Sequence, residues 1–313
     1  MSQLDLVTGA FSYSGSHIAR RLLDAGHDLR TLTHHPDRAH PLRDEVDARR
    51  YRFDDPAELA RSLGGVTTLY NTYWVRFDHG ASTYRNAIEN SGMLFAAARR
   101  AGVQRIVHVS ITNPSISSPL PYFRGKALVE SALAQSESPY SVVRPTWLFG
   151  GERDVLVNNI AWILRRMPVF PIPGDYPFGM GPARYRVQPV HVEDLARLCV
   201  QAASDDDDTV IDAAGPEQMS FAETVALVRS AVGAFAPIIP VPSQLMALAA
   251  HGLGALVSDV VLTRDEISGL TSGLLVSDDP PLGELAFSDW LDEHADEIGR
   301  HYANELDRHF AVA

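Results

Sequence analysis

The chain opens on a short apolar segment, Leu4–Val7, which runs into Thr8-Gly9-Ala10-Phe11-Ser12-Tyr13-Ser14-Gly15 and then into a segment with Ile18, Leu22 and Leu23 on one helical face. Strand, glycine turn and amphipathic helix in that order constrain the fold more than any other stretch. The first glycine makes the bend, the last lets the helix pack on the strand, and N–H groups at the helix N-terminus receive a pyrophosphate. By position this is a dinucleotide site carried by Gly9, Phe11, Ser12, Tyr13 and Gly15. The middle glycine of the usual pattern is replaced by Ser12, whose extra atoms tighten the approach while its hydroxyl can bond a phosphate.

The alternation continues. Leu29–Thr33, Tyr51–Phe53, Val66–Tyr70, Ile106–Ser110 and Tyr140–Val143 read as buried strands. Helical faces lie between them, with Met93, Leu94 and Ala97 before Gly102, and Leu128, Val129 and Leu133 before Pro139. Repeated strand–helix–strand units require right-handed crossovers, so the expected fold is α/β, a Rossmann-type doubly wound parallel sheet. Beyond Pro145 the texture changes. Prolines and glycines crowd Pro168–Pro182 into an expected irregular loop. Tyr185–Val192 and Val210–Ala213 read as strands around a helix at Asp194–Ala203. Phe221–Val232, Ser243–Val257, Thr263–Leu270 and Phe287–Phe310 read as helices. The expected division is a dinucleotide-binding domain over 1–146, its sheet completed by about 184–214, and a smaller, mostly helical C-terminal substrate region over 147–183 and 215–313.

Charge narrows the partners. Lys and Arg number 27 against 39 Asp and Glu, a net charge of −12, and no basic stripe offsets it, so nucleic acids and anionic membranes are poor partners and a small molecule is expected. The single cysteine, Cys199, excludes a disulfide framework or multi-Cys zinc site and reads as a buried structural thiol. No metal is expected, since His34-His35 lacks further ligands at metal spacing. His191 is expected to be structural, Glu193-Asp194 to cap a helix, and Asp205–Asp208 to be a solvated loop. Met1–Ala10 holds Asp5 and no signal-peptide pattern, and Leu245–Val257 falls short of the roughly 20 residues that span a bilayer, so a cytoplasmic chain is expected. Oligomeric state is open. Nothing resembles a nucleophile elbow or P-loop.

Two further places carry chemistry. At the end of strand two, Thr33-His34-His35-Pro36-Asp37-Arg38 puts no acid directly on the strand end, while His34, His35 and Arg38 can face a phosphate. NADP is therefore preferred, with NAD possible, and a polar surface turn is the alternative. After strand five, Tyr122 and Lys126 are four apart and share a helix face. The ammonium can lower the phenol pKa and bond a ribose, and the phenol can act as acid or base in hydride transfer.

Together, Thr8-Gly9-x5-Gly15, Tyr122-x3-Lys126, Arg144-Pro145-Thr146 with Gly150, and Gln188-Pro189-Val190-His191-Val192-Glu193-Asp194-Leu195-Ala196 resemble the short-chain dehydrogenase/reductase superfamily, in its extended or atypical branch. Tyr122-Phe123-Arg124-Gly125-Lys126 and Ser110-Ile111-Thr112-Asn113-Pro114 are similar to the NmrA-like proteins and the nucleotide-binding accessory subunit of respiratory complex I. The resemblance implies pyrophosphate binding at Gly9, Ser12 and Gly15, acid/base and ribose roles for Tyr122 and Lys126, and Pro145 and Thr146 beside the nicotinamide. It also implies that Asn71, Thr72 and Tyr73 stand by the nicotinamide ribose, with Asp54 or Asp55 beside the adenine. Departures accompany it. Ile111 takes the slot of a catalytic Ser or Thr, for which Ser110 and Thr112 are the neighbouring substitutes. Asn71-Thr72-Tyr73-Trp74 replaces a small Ala-Gly pair, and the family's active-site asparagine has only Asn86 and Asn90 nearby. Two functions follow: an NAD(P)-dependent oxidoreductase or epimerase acting on a small carbonyl or alcohol, or a non-catalytic NADP(H)-binding sensor or structural subunit.

Overall fold

A computed structural model describes residues 3–151, 154–174 and 185–306. Most of the expected proline- and glycine-rich loop, residues 175–182, lies outside the described residues, as do 307–310 of the expected last helix. In chain order the elements are β1 (Leu4–Thr8), α1 (Tyr13–Asp24), β2 (Asp28–Thr33), β3 (Val46–Arg50), α2 (Pro56–Ser62), β4 (Thr68–Asn71), α3 (Tyr84–Ala101), β5 (Arg105–Val109), α4 (Pro121–Ala134) and β6 (Tyr140–Pro145). Then come β7 (Trp147–Phe149), α5 (Leu156–Arg166), β8 (Phe170–Pro173), β9 (Arg186–Val187), β10 (Pro189–His191), α6 (Val192–Ala202) and β11 (Thr209–Ala213). The chain continues with β12 (Met219–Ser220), α7 (Phe221–Ala231), β13 (Ile238–Val241), α8 (Ser243–Val257), α9 (Arg264–Thr271) and α10 (Phe287–His294). Two compact units result, Met1–Pro145 with Val192–Ala213, and Thr146–His191 with Ala214–Ala313.

The first unit is a parallel sheet of seven strands in the order β11-β6-β5-β4-β1-β2-β3. Helix α1 packs on α6, while α2, α3 and α4 pack side by side. Right-handed crossovers in the two directions away from β1 put these two sets on opposite faces. Leu6, Leu32, Leu69, Leu94, Phe95, Ile106, Val129 and Val142 form a buried core on the sheet. The order reverses between β1 and β4. In open α/β sheets that reversal is where ligands bind, outside the carboxyl ends of the strands.

Three expectations are corrected. Tyr51–Phe53 is not a strand: β3 is the segment before it, and as an edge strand it carries Asp47 and Arg49, joined to Arg30 and each other by ion pairs, which hide its period. Of the expected sheet completion over about 184–214, residues 185–191 do not join the sheet. β10 pairs in parallel with β7 and β9 antiparallel with β12, leaving α6 and β11 to join the first unit. The helix from Phe287 stops at His294, because Gly299 turns through φ +72 against Ala161, and Arg165 and Arg166 take the carbonyls of Ala295, Ile298, Gly299 and Arg300.

The second unit has its own core of Trp147, Phe149, Phe221, Phe287 and Trp290. His191 is buried there, its ring 5.1 Å from Phe149 and against Gly150, where a Cβ would meet its Nε2 at 2.2 Å. Cys199, on α6 of the first unit, is buried with a free thiol that burial pushes well up. Among the described residues no helix is long and apolar enough to cross a membrane, and no group of His, Cys, Asp and Glu is placed to hold a metal.

Candidate dinucleotide site

The turn after β1 is built by backbone geometry. Gly9 sits at φ +67, a conformation that disfavours any side chain, and its N–H donates to Leu32 O at 2.9 Å. A Cβ on Gly15 would lie 2.2 Å from Gly9 O and 2.8 Å from its carbonyl carbon, so only glycine lets α1 come this close to the turn. Ser12 is the N-cap residue of α1. Its hydroxyl donates to Gly9 O at 2.6 Å, which fixes the turn instead of leaving that proton for a phosphate. No acidic residue stands in the first turn of α1, so the positive end of the helix dipole is not neutralised. Phe11 is buried against His40, and Tyr13 meets His17 edge-on. A cradle that a single Cβ would fill, at a helix whose own first turn carries no carboxylate while Glu193 pairs with His17 in the next, fits a pyrophosphate.

Asn71 and Thr72 tie β1 to β4. Thr72 N–H donates to Thr8 Oγ1 and Thr72 Oγ1 to Thr8 O, while the buried Asn71 amide takes Tyr73 N–H and meets His108 Nδ1 at 3.1 Å. These two side chains position the turn. Tyr73 instead joins an aromatic floor on the β2 side: it lies 5.3 Å from Tyr51 and 5.5 Å from Phe53, and its hydroxyl accepts from Asn90. The exposed His34 lies on the same floor, 4.9 Å from Tyr51, and desolvation of its ring together with His35 and Arg50 lowers its pKa and favours the neutral form. Arg38 follows on the same loop, its N–H on His35 O. The Asp37 side chain is 90% exposed and pairs with Arg43 at 3.9 Å. Asp54 pairs with Arg52 in solvent, and Asp55 is spent capping α2. Asn86 ties Ala81 O.

The β5 side is arranged differently. Tyr122 lies in the first turn of α4, half-buried, edge-on to both Trp74 and Tyr84. Lys126 is 3% exposed. Its Nζ donates to Val109 O at 2.9 Å and lies 4.8 Å from the centroid of the Trp74 ring, and burial lowers its pKa to about 7 against the opposing pull of Glu130. Burial and the Lys126 charge likewise hold His108 neutral. Ile111 is buried. Thr112 Oγ1 donates to Asp212 at 3.0 Å, and Ser110 Oγ is buried with no hydrogen-bond partner among the described residues. Pro145 ends β6, its carbonyl accepting from Thr112 N–H. Thr146 belongs to the second unit, with its hydroxyl on Gln188 O.

The packing at Gly125 is what the sequence patterns of this side did not show. Gly125, in the middle of α4, is where the indole of Trp74 sits: a Cβ there would lie 2.8 Å from Cη2. Lys126 is also the only lysine of the 313 residues, every other member of the 27 cationic side chains being arginine. A glycine inside a helical pattern and a lone lysine beside it are both visible in sequence.

Known proteins share the fold. Residues 9–158 match the family model described as NAD(P)H-binding. Subunit 9 of the mitochondrial NADH dehydrogenase [ubiquinone] 1 alpha subcomplex of Arabidopsis thaliana is 24% identical over 197 residues, 59% of this chain but 47% of that protein, so the match spans under half its length. The photosystem II assembly factor Ycf39 of Guillardia theta is 24% identical over 244 residues, 77% of this chain and 74% of its own. Among solved structures, the Citrobacter sp. triphenylmethane reductase complexed with NADP(H) superposes with a TM-score of 0.75 at 18% identity, covering 94% of this chain and 99% of that one. UDP-glucose 4-epimerase from Brucella ovis in complex with NAD gives 0.67 at 17% identity, covering 97% and 99%. Residues 9–158 thus match an NAD(P)H-binding family model, the chain is similar to complex I subunit 9 and Ycf39, and its fold is the one seen in the triphenylmethane reductase and the UDP-glucose 4-epimerase structures.

Proposed function

We propose that the chain binds NADP(H) at the Gly9–Gly15 turn and holds it with little turnover of its own. The observation that carries this is the end of β5. Ile111 stands where a hydroxyl would polarise a carbonyl, the Thr112 hydroxyl is spent on Asp212, and Ser110 Oγ is buried. A bound nicotinamide supplies a hydride donor or acceptor. The chain's part is to hold the phosphates, through the first-turn N–H groups of α1, and the adenosine half, along the floor of Tyr51, Phe53 and Tyr73. NADP is favoured over NAD because the loop after β2 offers Arg38, whereas Asp37 points into solvent toward Arg43. Complex I subunit 9 and the assembly factor Ycf39 are named for assemblies, which supports a holding role.

A second reading, a reductase or epimerase for a small carbonyl or alcohol with Tyr122 as acid/base, is favoured by one observation: Tyr122 and Lys126 stand four apart on α4 as that chemistry needs. Stopped-flow mixing with NADPH and a panel of quinones, aldehydes and sugar nucleotides separates the two. A holding protein enhances NADPH fluorescence on binding, yet its absorbance decays no faster than in buffer, and Tyr122→Phe gives the same trace. Decay that Tyr122→Phe abolishes establishes the second reading and overturns the first.

A further inference from the structure

From the switch point between β1 and β4, a dinucleotide laid along the carboxyl ends of the strands has one half toward β2 and the other toward β5. The β2 half meets the floor of Tyr51, Phe53 and Tyr73, with His34 exposed above it. The β5 half must cross the segment after β4, and there Trp74 is seated. Its ring edge rests on Gly125, where a Cβ would meet Cη2 at 2.8 Å and Cζ2 at 3.1 Å. Its face covers the Lys126 ammonium at 4.8 Å. Tyr84 stacks on it at 5.9 Å and Tyr122 meets it edge-on at 5.9 Å, while Tyr84 is itself anchored by its hydroxyl on Arg76 O at 2.6 Å.

The seat matches the ring in shape. A glycine in a helix interior is less favourable than alanine, and here the indole takes the space it leaves. Trp74 Nε1 is buried with no hydrogen-bond partner among the described residues, so the ring is held by its packing and by the ammonium under its face. Lys126 has spent one proton on Val109 O and turns its ammonium to the indole face. A ligand hydroxyl reaches Lys126 only by displacing the ring.

We propose that Trp74 is a specificity-determining residue of the dinucleotide site: seated on Gly125 and across Lys126, its indole closes the β5 side of the crevice, so that the chain grips the adenosine-diphosphate-ribose part of its ligand and draws no affinity from the nicotinamide part. It rests on the dinucleotide site proposed above. The ligand class widens accordingly, from nicotinamide dinucleotides to ADP-ribose compounds carrying the same 2′-phosphate.

Titration calorimetry of the whole chain with NADPH and with 2′-phospho-ADP-ribose, the same molecule without its nicotinamide, tests this. The wild type is expected to bind both with dissociation constants within about threefold, and Trp74→Ala to tighten NADPH by about tenfold without moving the fragment. Gly125→Ala, which lifts the ring from its seat while keeping the tryptophan, is expected to shift NADPH the same way. A wild type that prefers NADPH by about tenfold or more overturns the role of Trp74 without needing any variant, while leaving dinucleotide binding intact. So does a Trp74→Ala protein in which neither affinity moves. Failure of the wild type to bind either compound removes the dinucleotide site itself, and the role of Trp74 with it.

Discussion

On the β2 side of the switch point, Tyr51, Phe53, Tyr73 and His34 lie side by side as a floor, and His34 is exposed. On the β5 side, Trp74, Tyr84 and Tyr122 interlock over a cation that is 3% exposed. Both sides use aromatic rings, and glycines decide the difference. Gly9 and Gly15 remove side chains from a turn so that α1 can start close against the end of β1, whereas Gly125 removes one from a helix so that a ring can be laid down. A nucleotide-binding edge is thus shaped as much by where side chains are missing as by the polar groups present.

The two glycines should respond very differently to a methyl group. At Gly15 the obstruction is the Gly9 carbonyl, 2.2 Å away, and backbone there cannot yield. Gly15→Ala is expected to weaken NADPH binding by about a hundredfold or more. The same change is expected to cost about 3 kcal/mol of stability, read by calorimetry and urea unfolding. At Gly125 the obstruction is the edge of an indole that can swing, and the added helix propensity offsets the lost contact, so stability should move by less than about 1 kcal/mol. Equal losses at both positions would erase the distinction.

The cation on the closed side gives the next largest effect. Burial lowers Lys126 from 10.5 to about 7, so between those values the unfolded chain binds the extra proton and the folded chain does not. Stability from this group therefore rises with pH across that window and is lowest at and below neutrality, with a slope of up to about 1.4 kcal/mol per unit. Lys126→Met should be more stable than the wild type at pH 7 and should flatten the rise, as seen in the difference between their unfolding midpoints at pH 7 and pH 9. A difference that does not change with pH would place the ammonium in water. On the open side the expected effect is smallest. Arg38→Ala should lower the ratio of NADP to NAD affinity by about tenfold, and an unchanged ratio would remove the preference for NADP.

Much of the open side was legible in sequence, because its devices are local. The strand–turn–helix from Leu4 to Ile18 carries its glycines within one contiguous stretch, and the alternation of apolar runs and helical faces led to the parallel sheet. Where the chain's period was masked, legibility failed. β3 carries charges because an edge strand pairs on one side only, and Tyr51–Phe53, with two aromatic rings around Arg52, has more of a strand's composition than the strand itself. The short pairs β7–β10 and β9–β12 hold two or three residues each, too few for a period to show. The closed side depends on residues 74, 84, 122 and 126 meeting in space. Sequence could show bulky rings after β4 and a Tyr-x3-Lys pair, but not that one covers the other.

Lys126 makes the difference between the two sides measurable at one atom. As the only lysine of the chain, it is read alone by amine acylation followed by peptide mass mapping, the N-terminal amine falling on a different peptide. With its pKa lowered to about 7 the amine is neutral and nucleophilic at pH 8, so a slow reaction reports access and not charge. The native chain is expected to acylate at Lys126 about a hundredfold slower than the unfolded chain, at the same rate with and without saturating NADPH, and faster in Trp74→Ala. Acylation of the native chain faster than that of the unfolded chain, as expected for an accessible amine that is mostly neutral at pH 8, or ready acylation that NADPH blocks, would show that the β5 side is open and that the nicotinamide half reaches Lys126 after all.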